Sequence, residues 1–175
     1  MREFLTAHLV HVIAAATLIS RLGDIGTTFL VTPTLKVEAN PLVRRFGWRY
    51  ALATTALALI PYYSIHGGVV ILTVSFIISA LNGSEALLAR SLGEERYAEL
   101  HHDAMLNMPF LIGVSLQCLP GLFCALLALV LSLLFPQSID NWGYDIVMGI
   151  MLSGIALFIF YPMRFLSERR SALVR

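Results

Sequence analysis

Residues 21–41 read RLGDIGTTFLVTPTLKVEANP, and this stretch decides how the first part of the chain folds. It begins inside an apolar run, yet Arg21 and Asp24 stand three residues apart there. Residues at i and i+3 of a helix are neighbours, so the two charges can partly neutralise each other. At the other end, Asn40 is suited to cap a helix and Pro41 to occupy its first turn. The stretch therefore predicts a helix end, a polar turn and the start of a second helix.

The composition around this stretch is that of an integral membrane protein. Of 175 residues, 58% are hydrophobic and 13% are charged, whereas a soluble domain carries about 25% charged residues. We therefore expect one domain, residues 1–175, in the plasma or inner membrane of the cell, with the lipid bilayer as its first partner. The net charge of +1 argues against nucleic-acid binding, which needs a basic excess on one face.

The apolar runs predict an all-α bundle of five transmembrane helices. A crossing needs about 20 mainly apolar residues, and the predicted spans are residues 4–31, 46–65, 67–89, 108–135 and 143–165. A short cytoplasmic helix is predicted over about residues 92–105, where Ser91 and Glu94 match a capping box.

The positive charges predict the orientation of the bundle. With five crossings, Arg2 falls on one side, and ten cationic residues fall on the other: Lys36, Arg44, Arg45, Arg49, Arg90, Arg96, Arg164, Arg169, Arg170 and Arg175. The amino terminus is therefore predicted outside and the carboxyl terminus inside.

Polar residues of the first and third predicted spans reach a similar depth near the inner leaflet. In the third span, Asn82 and Glu85 lie on one helix face, because they are three residues apart. Ionisable residues inside a membrane are a functional hypothesis, because they are costly to bury and need partners. An ion pair that holds helix one against helix three is the structural alternative. The predicted cluster consists of Arg21, Asp24, Thr28, Glu38, Asn40, Asn82 and Glu85.

The opening hairpin carries two motifs, D-x-x-T-T from Asp24 and E-A-N-P-L from Glu38. Together they resemble an uncharacterised family of small prokaryotic integral membrane proteins, whose opening hairpin has D-x-x-x-T or D-x-x-T-T followed by E-x-N-P-L. The match covers about residues 20–45. The resemblance implies that Asp24, Thr28, Glu38 and Asn40 act as one unit. It implies no activity, since that family has none established.

Two groups of residues are weak candidates for metal binding. On the predicted outer side, a small metal or haem site could involve His8, His11 and His66. On the cytoplasmic helix the candidates are Glu99, His102 and Asp103. Glu-x-x-His is half of the di-iron signature, which requires the motif twice, and it occurs once here. Interfacial histidines and a solvated helix face are the preferred interpretations, and the cofactor, if there is one, is unknown from the sequence.

Three functions remain open from the sequence. The favoured one is a subunit or accessory component of a larger membrane assembly, or a homo-oligomer, because the chain has little extramembrane material and no complete catalytic motif. Gly-x-Ser-x-Gly, His-Glu-x-x-His and P-loop motifs are missing, so no catalytic residue is identified. The second is a small ion- or proton-coupled transporter that uses Asp24, Glu38 and Glu85. The third is a membrane enzyme that acts on a lipid with the same carboxylates.

Overall fold

The computed structural model describes residues 2–38, 40–134 and 142–173, and within these ranges it is helical with no strand. The elements are helices α1 (Arg2–Val31), α2 (Pro41–Ala53), the 3-10 helix η1 (Thr54–Tyr62), α3 (Ile65–Leu92), α4 (Glu94–Asn107), α5 (Phe110–Leu134) and α6 (Trp142–Leu173). The prediction of an all-α chain with long apolar helices is confirmed. Four segments are long and apolar enough to cross a membrane: His8–Val31, Ile65–Leu92, Phe110–Leu134 and Trp142–Arg170.

The segment predicted as the second span is helical but is not one continuous α-helix. Gly47, with φ 69° and ψ −163°, interrupts α2, a conformation that glycine adopts without the steric penalty of a Cβ atom. From Thr54 the chain continues as a 3-10 helix that contains Pro61. The hydroxyl of Thr54 donates to Ala51 O at 2.5 Å. Such side-chain bonds to the preceding turn compete with the regular helical pattern and bend the helix.

Helices α1 and α3 run parallel, and η1 packs against both. Thr17 Oγ1 in the middle of α1 donates to Gly68 O near the start of α3 at 3.4 Å. A Cβ atom at Gly68 would lie 2.6 Å from Pro61 Cγ, so glycine permits the close approach of η1. Tyr62 at the end of η1 bonds with His11 at 3.0 Å. The segment formed by α2 and η1 therefore runs antiparallel to α1.

Helix α6 packs against α3 on one side and α5 on the other through small residues. A Cβ at Gly149 would lie 2.6 Å from Thr73 Cβ of α3. A Cβ at Gly121 of α5 would lie 2.7 Å from Gly154 O of α6. Small residues let helix backbones approach closely, which is how helices associate in membranes without a hydrophobic driving force.

The bundle has two ends, which we name after a residue at each. The His66 end carries the first turns of α3 and α6 and the last turn of η1, and the Glu38 end carries the last turns of α1 and α3 together with α4. The cationic residues that were predicted on the inner side lie at the Glu38 end as far as the structure describes them. Arg175 lies outside the described residues.

Helix α4 begins after Gly93, whose φ of 77° ends α3 and turns the chain. The capping box predicted for Ser91 and Glu94 is wrong. Ser91 Oγ donates to Leu88 O at 2.9 Å, and α4 has no side-chain cap. The Glu94 carboxylate instead holds the turn that follows α1.

Candidate functional site

A cavity of about 350 Å³, lined by charged and apolar side chains, lies in the half of the bundle nearest the Glu38 end. Helices α1, α2, α3, α5 and α6 all contribute to its wall. Residues of the predicted cluster that line it are Arg21, Asp24, Thr28, Glu38, Asn82 and Glu85. The remaining member, Asn40, caps α2, and its Oδ1 accepts from Leu42 N at 2.9 Å.

Arg21 lies at the deep end of the cavity and joins three helices. Its Nη1 contacts Asp24 Oδ2 at 2.6 Å, and the two side chains are 12% and 11% exposed. The same nitrogen donates to Ser75 Oγ of α3 at 3.3 Å, and Nη2 donates to Thr54 Oγ1 of η1 at 2.5 Å. The contact with α3 is therefore made through Ser75, and Asp24 neutralises the guanidinium.

The α3 wall of the cavity is held by hydrogen bonds from both sides. Asn82 Nδ2 donates to Thr28 Oγ1 of α1 at 2.8 Å. The Glu85 carboxylate accepts from Tyr97 Oη of α4 at 2.9 Å. Tyr97 is buried, and burial followed by the nearby Glu85 charge raises the pKa of its hydroxyl. Tyr97 therefore remains a proton donor that orients Glu85.

Glu38 reaches the cavity because the turn before it is rigidly built. Thr32 Oγ1 donates to Glu94 Oε1 at 2.7 Å, and Thr34 N donates to the same oxygen at 2.9 Å. Burial raises the pKa of Glu94, but these hydrogen bonds outweigh that effect and lower it overall. Glu38 itself accepts from Asn40 N at 2.6 Å. The carboxylate of Glu94 thus supports the turn from which Glu38 enters the cavity.

Two residues of the cavity wall, Arg164 and His101, were not predicted as site residues. Arg164 of α6 donates through Nη1 to Val37 O and through Nη2 to His101 Nδ1 at 3.2 Å. Burial and then the Arg164 charge lower the pKa of His101 to about 4. His101 is therefore neutral at pH 7, with Nδ1 as an acceptor. From the sequence, Arg164 was only counted among the cationic residues on the predicted inner side. Its i, i+3 spacing from Tyr161, which also lines the cavity, could have shown that the two share a helix face.

The charges around the cavity do not balance. Three carboxylates line it, those of Asp24, Glu38 and Glu85, against two guanidinium groups. Counted as side chains, and with His101 neutral, the acidic groups exceed the basic groups by one. Asp24 is matched by Arg21, so the excess lies with Glu38 and Glu85, which share the nearby charge of Arg164.

The residues considered for metal binding are placed in separate pairs. His11 bonds with Tyr62, and His66 lies 2.6 Å from Asp145. His102 contacts Glu168 at 3.1 Å, and Glu99 pairs with Arg96. In the part of the chain that the structure describes, no group of three His, Cys, Asp or Glu side chains could hold a metal ion. Asp103 and His8 belong to no such group either.

Comparisons of the chain with protein-family models, curated proteins and solved structures found no match. The resemblance of residues 20–45 to a prokaryotic membrane-protein family therefore stays a prediction.

Proposed function

We propose that the protein is a small membrane carrier that binds a cation in the polar cavity and exchanges it for a proton. The observation that carries the proposal is the excess of carboxylates over guanidinium groups around one cavity. This agrees with the transporter predicted from Asp24, Glu38 and Glu85, and it reduces Asp24 to a partner of Arg21.

The proposal follows from the cost of placing two carboxylates beside one guanidinium group near hydrocarbon. Two carboxylates close to each other are disfavoured in a low-dielectric environment when both are ionised. Either a proton or a bound cation removes the excess charge on the Glu38 and Glu85 pair. The proton and the cation are not both needed at once, so binding of one favours release of the other. A coupled carrier requires this linkage.

We also propose that α2 and η1 together make a fifth crossing, with the amino terminus outside and the Glu38 end in the cytoplasm of a cell whose plasma or inner membrane holds the protein. A 3-10 helix rises about 2.0 Å per residue, so η1 covers about 18 Å. Residues 48–53 add about 9 Å as α-helix. The sum approaches the roughly 30 Å of a hydrocarbon core. The hydrogen bond from Trp48 to Pro33 O and the one between His11 and Tyr62 support the same path alongside α1.

The test measures proton release from the protein in phosphatidylcholine nanodiscs in weakly buffered medium. Sodium, tetramethylammonium and dodecyltrimethylammonium are added in turn, because none of them carries an exchangeable proton. We expect at least one of them to release up to about one proton per protein, by the linkage above. In proteoliposomes, a gradient of the same cation should drive protons in the opposite direction.

The Glu85→Gln variant should lose the release, since it removes the excess charge. Glu99→Gln is the matched control, because Glu99 lies on the exposed face of α4 and pairs with Arg96. Equal release from wild type and Glu85→Gln, or none with any of the three cations, would overturn the proposal.

The prediction of an accessory subunit, or of a homo-oligomer, stays a prediction. The outer surface is rich in exposed apolar side chains such as Leu111 and Leu133, and these would suit lipid and a partner helix equally. The prediction of a lipid-modifying enzyme likewise remains untested.

A further inference from the structure

The cavity lies between α2 and α5, which are not closely packed against each other in the described residues. In the described parts of the chain, α5 packs mainly against α6, whereas η1 packs against α1 and α3. Past Gly47, α2 stays beside α1, since the centroid of the Trp48 ring lies 5.5 Å from that of the Phe29 ring, and in the described residues α2 does not pack closely against α5. The cavity lies between α2 and α5, and its wall includes side chains of both helices.

The two flanks of this space are largely apolar. Val43 and Trp48 line it from α2, and Leu116 lines it from α5. Leu116 is also 48% exposed, so this flank can be reached from outside the bundle. Gln117, beside it in an otherwise apolar stretch, faces the cavity as well. An apolar rim that leads to a charged interior suits a molecule with one apolar and one charged part.

We infer that the cavity receives the headgroup of a membrane-resident organic cation, whose apolar tail lies between α2 and α5. The inference rests on the proposed function for the positive charge of the ligand and adds that the ligand is an amphiphile. We name the space between Val43 and Trp48 on α2 and Leu116 on α5 the slot.

The chemistry of the wall favours an organic headgroup over a bare metal ion. Trp48, Phe160 and Tyr161 contribute aromatic rings to the cavity, and aromatic faces attract ammonium groups within about 6 Å. The carboxylates of Glu38 and Glu85 supply the matching negative charge. In the described residues no trio of metal-ligating side chains converges, and the cavity volume of about 350 Å³ lies at the lower end of the range for small-molecule sites.

A tail in the slot adds affinity without any new polar contact. Each methylene that leaves water for an apolar environment contributes favourably to binding. A ligand already dissolved in the bilayer has gained most of that energy, so the measurable advantage is its high local concentration and its access through the slot. A short cation must reach the same carboxylates from water at the Glu38 end.

The experiment follows Trp48 fluorescence in a Trp142→Phe background, in phosphatidylcholine nanodiscs. Trp48 lines the cavity, and Trp142 is the other tryptophan of the chain. Tetramethylammonium and dodecyltrimethylammonium are titrated. The amount of amphiphile that dissolves in the lipid is measured with empty nanodiscs and subtracted to give its free concentration. We expect saturable changes whose midpoint is about tenfold lower for the amphiphile, equivalent to about 1.4 kcal/mol.

The Leu116→Phe variant narrows the slot and should raise the midpoint for the amphiphile about tenfold, a larger increase than it causes for tetramethylammonium. Leu133→Phe is the matched control, because Leu133 is on the same helix and 80% exposed but does not line the cavity. Equal midpoints for the two cations with no effect of Leu116→Phe would overturn the amphiphile while cation binding stands. Absence of both the fluorescence change and proton release would overturn the inference together with the proposed function.

Discussion

Removal of Arg21 should destabilise the bundle strongly, and most of the loss should vanish when Asp24 is removed with it. Arg21 is the one cation within hydrogen-bonding distance of Asp24 in the described residues. It also donates to Thr54 and Ser75, so three helices depend on it. Arg21→Met keeps the length of the side chain but leaves the Asp24 carboxylate buried without a partner.

The magnitude follows from these contacts. Breaking a buried ion pair by removing one partner costs about 3–5 kcal/mol. The hydrogen bonds to Thr54 and Ser75 add about 0.5–1.5 kcal/mol each. In Arg21→Met/Asp24→Leu the uncompensated charge is gone, so only the loss of these hydrogen bonds remains, about 1–3 kcal/mol. The double-mutant cycle should therefore give a coupling energy of at least about 2 kcal/mol.

Unfolding by sodium dodecyl sulfate in mixed micelles, followed by circular dichroism, measures all members of the cycle. Asp24→Leu alone supplies the remaining corner and should also be destabilised, because Arg21 then loses its counter-charge. Two results would refute the reasoning. One is an Arg21→Met protein within about 0.5 kcal/mol of wild type, which is the ordinary scatter of surface substitutions. The other is a double variant whose loss equals the sum of the single losses.

Further predictions test the packing, the neutral histidine and the turn. Gly121→Ala should lower the free energy of unfolding by about 1–3 kcal/mol through overpacking, because the added Cβ meets the backbone of α6. Gly26→Ala, whose Cβ would have nothing within 4 Å, should raise it by up to about 1 kcal/mol. Equal effects of the two variants in denaturant unfolding would contradict this. Since the pKa of His101 is about 4 when folded and about 6.5 when unfolded, stability should fall by up to about 1.4 kcal/mol per unit as pH drops through that window; thermal melts of His101→Gln should show a flatter slope, and an unchanged slope would exclude His101. Glu94→Ala should accelerate tryptic cleavage after Lys36, because the turn loses two hydrogen bonds, and an unchanged rate would show that other contacts hold the turn.

The spacing of residues along the predicted helices was enough to predict which side chains of the site are neighbours. The charges of Arg21 and Asp24 are neighbours on α1 by helical geometry alone, and the face of α3 that carries Asn82 and Glu85 follows from the same period. Parallel directions of α1 and α3 then put these faces at one depth, as Thr28 and Asn82 show by their hydrogen bond.

Contacts from distant helices could not be predicted in this way. Arg164 was assigned to the cationic end because a count of charges gives no side-chain direction. Its hydrogen bonds to Val37 and His101 connect α6 with the turn that follows α1 and with α4. The capping role predicted for Glu94 was wrong for the same reason. Tertiary packing brings Thr32 and Thr34 close to the Glu94 carboxylate, which accepts hydrogen bonds from both.

The sequence by itself determined the helical class, the membrane as the surroundings and the polar hairpin, because these follow from composition and from periods of three to four residues. Only the tertiary structure decided that the polar residues enclose a cavity, that its carboxylates outnumber its guanidinium groups, and that side chains of α2 and α5 line the same cavity. Those properties depend on which helix faces meet, and side chains far apart in sequence come together only once the glycines of α3, α5 and α6 have let the backbones approach.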